Sequence, residues 1–149
     1  MRRLSGTPAG WRNSTRSCWR WRLWTRYRRW KDRLPSPWFT VYPDLGNLSA
    51  WGNDTLAELR LGAGEIVAVH LKDTLAVTAD APGVFKGVTF GEGCVDFPSC
   101  FRQLEDQGYC GPYMMEMWYS PGQDWETTVS SARAYISAQF EAAAHKEVL

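Results

Sequence analysis

The stretch Ile66-Val67-Ala68-Val69-His70-Leu71 decides the fold class of this chain. It is a short, almost wholly apolar run rich in β-branched residues, which is typical of a strand buried on both faces. Strands of this kind occur mainly in parallel sheets that are covered by helices. The one polar side chain of the run, His70, stands close to its carboxyl end.

Strand-like and helical segments alternate on both sides of this run. The alternation predicts βα units and a parallel sheet, and Gly108 has the position of a helix C-cap. The elements are too few for a closed eight-stranded barrel, which needs about 250 residues. The predicted strands also include 38–42 and 113–118; the predicted helices cover 56–61, 97–107 and 124–144, and residues 72–88 form a polar loop.

The charge of the chain is divided unevenly along its 149 residues. The formal net charge is +1, but residues 1–33 carry +10 and residues 34–149 carry −9. Residues 1–33 also hold five of the nine tryptophans and have no clean strand or helix period. No apolar stretch of about 18 residues is present, which excludes a membrane-embedded protein. We therefore divide the chain into an aberrant Arg/Trp-rich segment, 1–33, and a folded part, 34–149.

Two interpretations of the first segment stand against each other. As a binding arm, Arg2 to Arg33 would neutralise phosphates and stack on bases, or settle on anionic lipid. As a frameshifted and disordered translation product, it would bind nothing. Trp has the single codon TGG, and one back-translation of residues 11–26, read in the neighbouring frame, encodes Leu-Ala-Glu-Gln-His-Thr-Gln-Leu-Leu-Ala-Val-Glu-Ile-Met-Asp-Thr. That sequence has the pattern of a helix end followed by a strand, so we adopt the frameshift hypothesis and expect neither nucleic acid nor membrane as a partner.

Three polar residues fall at or near the carboxyl ends of the predicted strands: Asp44, His70 and Glu116. Sites of parallel α/β proteins are built at that edge. A carboxylate in the middle of the apolar run 113–118 is expensive to bury without a cation or hydrogen-bond donors. One imidazole and two carboxylates suit Zn²⁺, Mn²⁺ or Co²⁺. Taken alone, Asp44 is more typical of a turn or helix N-cap residue, and His70 is more typical of a core histidine.

The four cysteines form no C-x-x-C pair, which indicates reduced thiols. Neither a secretory pattern nor a membrane span is present, so the predicted compartment is the cytoplasm.

Four ordered motifs resemble the bacterial L-ribulose-5-phosphate 3-epimerases, a family also called L-xylulose-5-phosphate 3-epimerases and formerly hexulose-6-phosphate isomerases. They are YPDLGNLSAW (42–51), HLKDT (70–74), FGEGCVDF (90–97) and EMW (116–118). The resemblance runs from about Pro35 to the C-terminus and covers the second half of a family member. It implies that residues 34–149 form the last four βα units of a (β/α)8 TIM barrel of the xylose-isomerase-like group.

The resemblance also implies a ligand set for a divalent metal. Family members hold the metal with a Glu ending the fourth strand, an Asp after the fifth, a His ending the sixth and a Glu on the eighth. Asp44, His70 and Glu116 match the last three. The first belongs to a strand that in the family reads much like Ala-Val-Glu-Ile-Met-Asp-Thr, and residues 20–26 stand in its place without a glutamate. The neighbouring reading frame restores that strand, which supports the frameshift hypothesis.

The implied chemistry is the interconversion of L-xylulose 5-phosphate and L-ribulose 5-phosphate through an enediolate. Two glutamates exchange the proton at carbon 3, and Glu116 matches one of them. Asn47 is a candidate substrate contact, and Lys72 or Lys86 is a candidate partner of the phosphate. As alternatives, Asn47 is a turn residue and the two lysines are solvated loop charges.

Since the second glutamate has no counterpart, we expect this chain to be inactive, and either poorly folded or self-associated through exposed sheet edges. The alternatives are a hexulose-phosphate or other sugar isomerase, or an endonuclease, of the same barrel group, and a product without function.

Overall fold

The computed structural model describes residues 30–144. The hypotheses about residues 1–29, including the reading frame, disorder and the strand expected at 20–26, lie outside the described residues. Lys31, which precedes the expected boundary at Leu34, contacts residues of the folded part. The ammonium of Lys31 lies 2.9 Å from the Glu65 carboxylate and donates to the Phe39 carbonyl.

Four helices and four strands lie wholly within the described residues, and two of the strands form a hairpin. The helices are α1 (Leu45–Ala50), α2 (Thr55–Leu61), α3 (Phe97–Asp106) and α4 (Trp125–Ala144). The strands are β1 (Val69–Leu71), β2 (Asp73–Leu75), β3 (Val84–Val88) and β4 (Tyr113–Met115). No helix between residues 30 and 144 is long and apolar enough to cross a membrane.

A parallel sheet organises the molecule. Strands β1 and β4 pair in parallel, with His70 opposite Met114. On the other side of β1, residues 41–44 run parallel to it through bridges from Val41 to Ile66 and from Asp44 to His70. The three segments are joined by helices and lie side by side in chain order, which is the arrangement of a partial (β/α)8 barrel.

This pairing corrects the strand numbers that the resemblance suggested for His70 and Glu116. Their strands are direct hydrogen-bonded neighbours, and a single helix, α3, stands between them in the chain. They are therefore consecutive strands of the parallel sheet, because within residues 30–144 β2 and β3 pair only with each other. A sixth and an eighth barrel strand would have another parallel strand between them.

Two local predictions are wrong. Residues 72–88 are not a plain loop, because β2 and β3 pair within them as an antiparallel hairpin. The predicted strand over residues 38–42 is reduced to the single bridge at Val41, and helix α1 follows directly after Asp44. Both differences come from tertiary contacts that the local pattern does not contain.

The helices cover one face of the sheet and close the core there. Helix α3 begins at Phe97 and buries its predicted apolar face, and Gly108 follows it with the positive φ of 74° expected of a C-cap. Helix α4 packs against α3, where Phe101 and Phe140 stack with ring centroids 3.8 Å apart. The core includes Val69, Leu71, Phe97, Cys100, Phe101, Leu104, Ala132 and Ile136.

Burial changes the acidity of two groups in this core. Desolvation, with a smaller contribution from Asp96, raises the pKa of the Cys100 thiol to about 12. Desolvation, followed by the neighbouring Tyr109, raises the pKa of Tyr113 to about 12. Each group is held in its neutral form by the folded state.

We predict that the folded chain loses stability in alkali. The pKa of Cys100 in the folded state lies above its value of 9.0 in the unfolded chain. The unfolded thiol therefore ionises first, and the free energy of unfolding falls between pH 9 and pH 12, by up to about 1.4 kcal/mol per pH unit for one group. Urea denaturation at pH 8, 9, 10 and 11, followed by circular dichroism, measures this fall. Cys100→Ala should be less stable at pH 8 but show a shallower decline, and an equal decline in both proteins would contradict the assignment.

Candidate metal and substrate site

Two backbone hydrogen bonds bring three strand ends to one place. The His70 amide donates to the Pro43 carbonyl at 2.9 Å, and the Glu116 amide donates to the Leu71 carbonyl at 2.8 Å. These bonds run to opposite sides of the central strand. They align Asp44, His70 and Glu116 at the carboxyl edge of the sheet, where α/β proteins build their sites.

The two oxygens of the Asp44 carboxylate have different surroundings: one caps a helix and the other faces the site. Its Oδ1 accepts from the Asn47 amide at 2.8 Å and so caps helix α1. Its Oδ2 faces the site and accepts from the Asn47 side-chain amide at 2.8 Å. Asn47 therefore lies at the site and orients a site carboxylate, while its contact with substrate stays a prediction.

Asp44, His70 and Glu116 can offer three ligand atoms that all lie within 4.8 Å of one another. The His70 Nδ1 lies 3.5 Å from Glu116 Oε2 and 3.9 Å from Asp44 Oδ2. Each side chain is partly exposed, and the Tyr42 ring packs against the imidazole with ring centroids 4.3 Å apart. Since one nitrogen and two carboxylate oxygens converge with access from solvent, the set fits a divalent ion that keeps an open coordination position.

Lys72 lies inside this cluster and is not a solvated loop charge. Its Nζ lies 2.9 Å from Asp44 Oδ2 and 3.3 Å from Glu116 Oε2, and its side chain is only 7% exposed. A Cβ atom on Gly46 would lie 2.6 Å from Lys72 Cγ, so the glycine lets helix α1 pack directly on the lysine stem. Sequence reasoning placed Lys72 near the substrate but missed its ion pairs with the two carboxylates.

A cavity of about 320 Å³ adjoins the cluster, between the β2–β3 hairpin and helix α4. Lys72, Glu116 and Trp118 line its side toward the cluster, and Thr127, Thr128 and Ser131 line it from helix α4. Lys72 Nζ lies 5.3 Å from the centroid of the Trp118 ring, and Lys86 Nζ lies 5.7 Å from it. Lys86 is exposed on β3, so the structure places both predicted lysines around one ring at the edge of the site.

Asp73 is a further residue that sequence reasoning missed. Its buried carboxylate accepts from the backbone amides of Thr74, Gly91 and Gly93 at 2.9–3.0 Å, and from Val95 at 3.4 Å. Gly93 packs so closely on the carboxylate that a Cβ atom would collide with it. The two glycines of the 90–97 motif were the available signal, because a backbone that must approach a carboxylate needs residues without side chains. This contact fixes the 91–95 loop to the residue that follows Lys72.

The comparison with family models decides the assignment. Residues 18–139 match the model of the xylose isomerase-like TIM barrel. The chain belongs to this family. The match begins 17 residues before Pro35, so it includes part of the Arg/Trp-rich segment, which the four motifs do not reach.

Curated relatives and solved structures agree with membership in the xylose isomerase-like family. The L-ribulose-5-phosphate 3-epimerase UlaE of Salmonella paratyphi C is 53% identical over 110 residues, which are 74% of this chain and 37% of that protein. A xylose isomerase domain protein from Planctomyces limnophilus superposes with a TM-score of 0.66 at 20% identity, over 83% of this chain and 45% of its own. An L-ribulose 3-epimerase superposes with a TM-score of 0.53 at 20% identity, over 70% of this chain and 37% of its own. The chain spans about two fifths of the length of the curated relatives it matches.

We predict that Asp73→Asn destabilises the chain and loosens the 91–95 loop. The amide nitrogen cannot accept hydrogen bonds, so at least one buried backbone donor is left without its partner, at a cost of about 1–3 kcal/mol. Urea denaturation measures the loss, and hydrogen exchange at residues 91–95 locates it. Asp80→Asn on an exposed turn is the matched control. Equal stability and equal exchange in the two variants would contradict the role given to Asp73.

Proposed function

We propose that this chain carries the metal-binding half of a sugar-phosphate 3-epimerase, which interconverts L-xylulose 5-phosphate and L-ribulose 5-phosphate. The observation that carries the proposal is the convergence of three ligand atoms within 4.8 Å at the carboxyl edge of consecutive parallel strands. The names of the relatives support the substrate class, since those at about 50% identity are L-ribulose-5-phosphate 3-epimerases.

Asp44, His70 and Glu116 would hold a divalent metal, with Zn²⁺, Mn²⁺ and Co²⁺ as the candidates. When bound, such an ion polarises a ketone and its neighbouring hydroxyl as a Lewis acid. The half-buried carboxylates supply the negative charge that a divalent ion requires, and the capping contact with Asn47 keeps Asp44 oriented toward the site.

Glu116 is the proposed acid/base at carbon 3 of the sugar. Its carboxylate faces the cavity that adjoins the cluster, so a substrate lying there would present its carbon 3 proton within reach. We assign Lys72 and Lys86 to the substrate phosphate by charge, and Asn47 to a substrate hydroxyl. Ser131 on helix α4 also lines the cavity, and its hydroxyl group suits a polyhydroxylated ligand.

The proposal includes a missing partner for Glu116. Inversion at carbon 3 needs a second acid/base on the other face of the sugar, and residues 1–33 contain no glutamate. We therefore expect no net epimerisation from this chain. A positioned acid/base typically raises the reaction rate about 10²–10⁴-fold, and one of the two is missing. The exposed edge of the sheet makes self-association a further part of the proposal, and the cytoplasm stays the predicted compartment on the sequence argument alone.

We predict that Glu116→Gln weakens zinc binding at least about tenfold, because a charged ligand becomes a neutral amide. Titration of the full chain with zinc sulfate, followed by calorimetry, measures the dissociation constant. Glu105→Gln, an exposed position on helix α3, is the matched control and should bind zinc as the unaltered chain does. The proposal fails if the unaltered chain does not bind zinc, or if both variants bind it equally.

We also predict that restoring the neighbouring reading frame restores a metal ligand. Residues 11–26 would be replaced by the sixteen-residue sequence that the neighbouring frame encodes. The replacement places a glutamate at position 22, and zinc affinity should rise at least about tenfold. The control carries the same replacement with glutamine at position 22. Equal zinc affinity of the two replaced chains would contradict the frameshift hypothesis. It would not affect the zinc site proposed for Asp44, His70 and Glu116.

A further inference from the structure

The Lys72 ammonium lies between the same two oxygens that would bind a metal. Its distances to Asp44 Oδ2 and Glu116 Oε2 are 2.9 and 3.3 Å, and the His70 Nδ1 faces the same two atoms at 3.9 and 3.5 Å. A divalent metal approaches carboxylate oxygens to about 2.0–2.2 Å. An ion bound to these oxygens would therefore lie within a few ångströms of the ammonium.

The position of Lys72 is built into the fold. Gly46 leaves room for the lysine stem against helix α1, and the neighbouring Asp73 is fixed by its backbone hydrogen bonds to the 91–95 loop. The Thr74 hydroxyl, on the other side of Asp73, donates to the Gly46 carbonyl at 2.8 Å. These contacts hold the stem of Lys72 and the two residues that follow it, and the ammonium lies against the two carboxylates.

We propose that Lys72 is a built-in counter-cation of the site, which a divalent metal must displace, and that the displaced ammonium moves into the adjoining cavity toward Trp118. The inference rests on the proposed metal site. A cation of charge +2 and an ammonium repel each other strongly at such separations. Both cannot occupy the space between the two oxygens.

The cavity next to the cluster is the space into which the displaced ammonium would move. Lys72 already lines this cavity together with Trp118, and its ammonium lies 5.3 Å from the centroid of the Trp118 ring. An indole face stabilises an ammonium that has left its carboxylates. Lys72 is thus a positioning residue that sets how strongly the carboxylates attract a metal, and it carries no ligand atom itself.

The first test compares zinc binding by Lys72→Met and by the unaltered chain. Methionine keeps an unbranched stem against Gly46 and removes the charge. We expect the zinc dissociation constant of Lys72→Met to fall at least about tenfold, because no ammonium has to leave. Lys86→Met, which removes the exposed ammonium on the same ring, should change the dissociation constant less than about threefold. Lys72→Gln also removes the charge but retains an N–H donor, and its zinc dissociation constant should fall in the same way. It replaces Lys72→Met in the comparison if the methionine variant does not fold.

The second test uses the unaltered chain and needs no variant. Brief acetylation with acetic anhydride, with and without zinc, is followed by peptide mass spectrometry. We expect labelling of Lys72 to rise severalfold with zinc, while labelling of Lys86 stays the same. Unchanged labelling of Lys72, together with unchanged or weaker zinc binding in the Lys72 variants, overturns the counter-cation proposal alone. Absence of zinc binding in every chain overturns the proposed metal site as well.

Discussion

The backbone pairing at the carboxyl ends of three strands is the constraint on which the site depends. The His70 amide donates to the Pro43 carbonyl, and the Glu116 amide donates to the Leu71 carbonyl. These two bonds place Asp44, His70 and Glu116 side by side, although His70 and Glu116 are 46 positions apart in sequence. None of the three site side chains has to be held by a long loop. A site on paired strands keeps its geometry as long as the sheet stays paired, which makes the burial of β1 against helices α3 and α4 a condition for the site.

Charge compensation explains why two carboxylates can stand so close together. Two carboxylates that share a site repel each other unless a cation or hydrogen-bond donors stabilise them. Here the donors are the Asn47 amides at Asp44, and the cation is the Lys72 ammonium, which contacts both carboxylates. A salt bridge of this kind is favourable only when the remaining polar atoms are also paired. The cluster therefore has its negative charge compensated by Lys72 and its Asp44 oxygens paired with Asn47.

The sequence predicted the parts of the molecule that local patterns determine. The apolar spacing of residues 97–104 predicts the buried face of α3, and the polar residues after apolar runs predict Asp44, His70 and Glu116 as neighbours. The β2–β3 hairpin and helix α1 were missed. Their stability comes from contacts with distant residues, such as the bond from Thr74 to Gly46 and the packing of Phe85 against Trp51. Lys72 and Asp73 were misjudged or missed for the same reason, since a charged residue after a strand looks like a solvated loop charge until its partners are known.

The two faces of the sheet differ in a way that bears on chemistry. Helices cover Val69 and Leu71 on one face, while Met114, opposite His70, is 56% exposed on the face that carries the site. Electrostatic attraction between the cluster and a bound charge is weakened by water, and it strengthens as water is excluded. The strength with which the cluster attracts a charged group therefore depends on what covers the face around Met114. Strand pairing places the three side chains, and the cover on that face sets the strength of their electrostatic interactions.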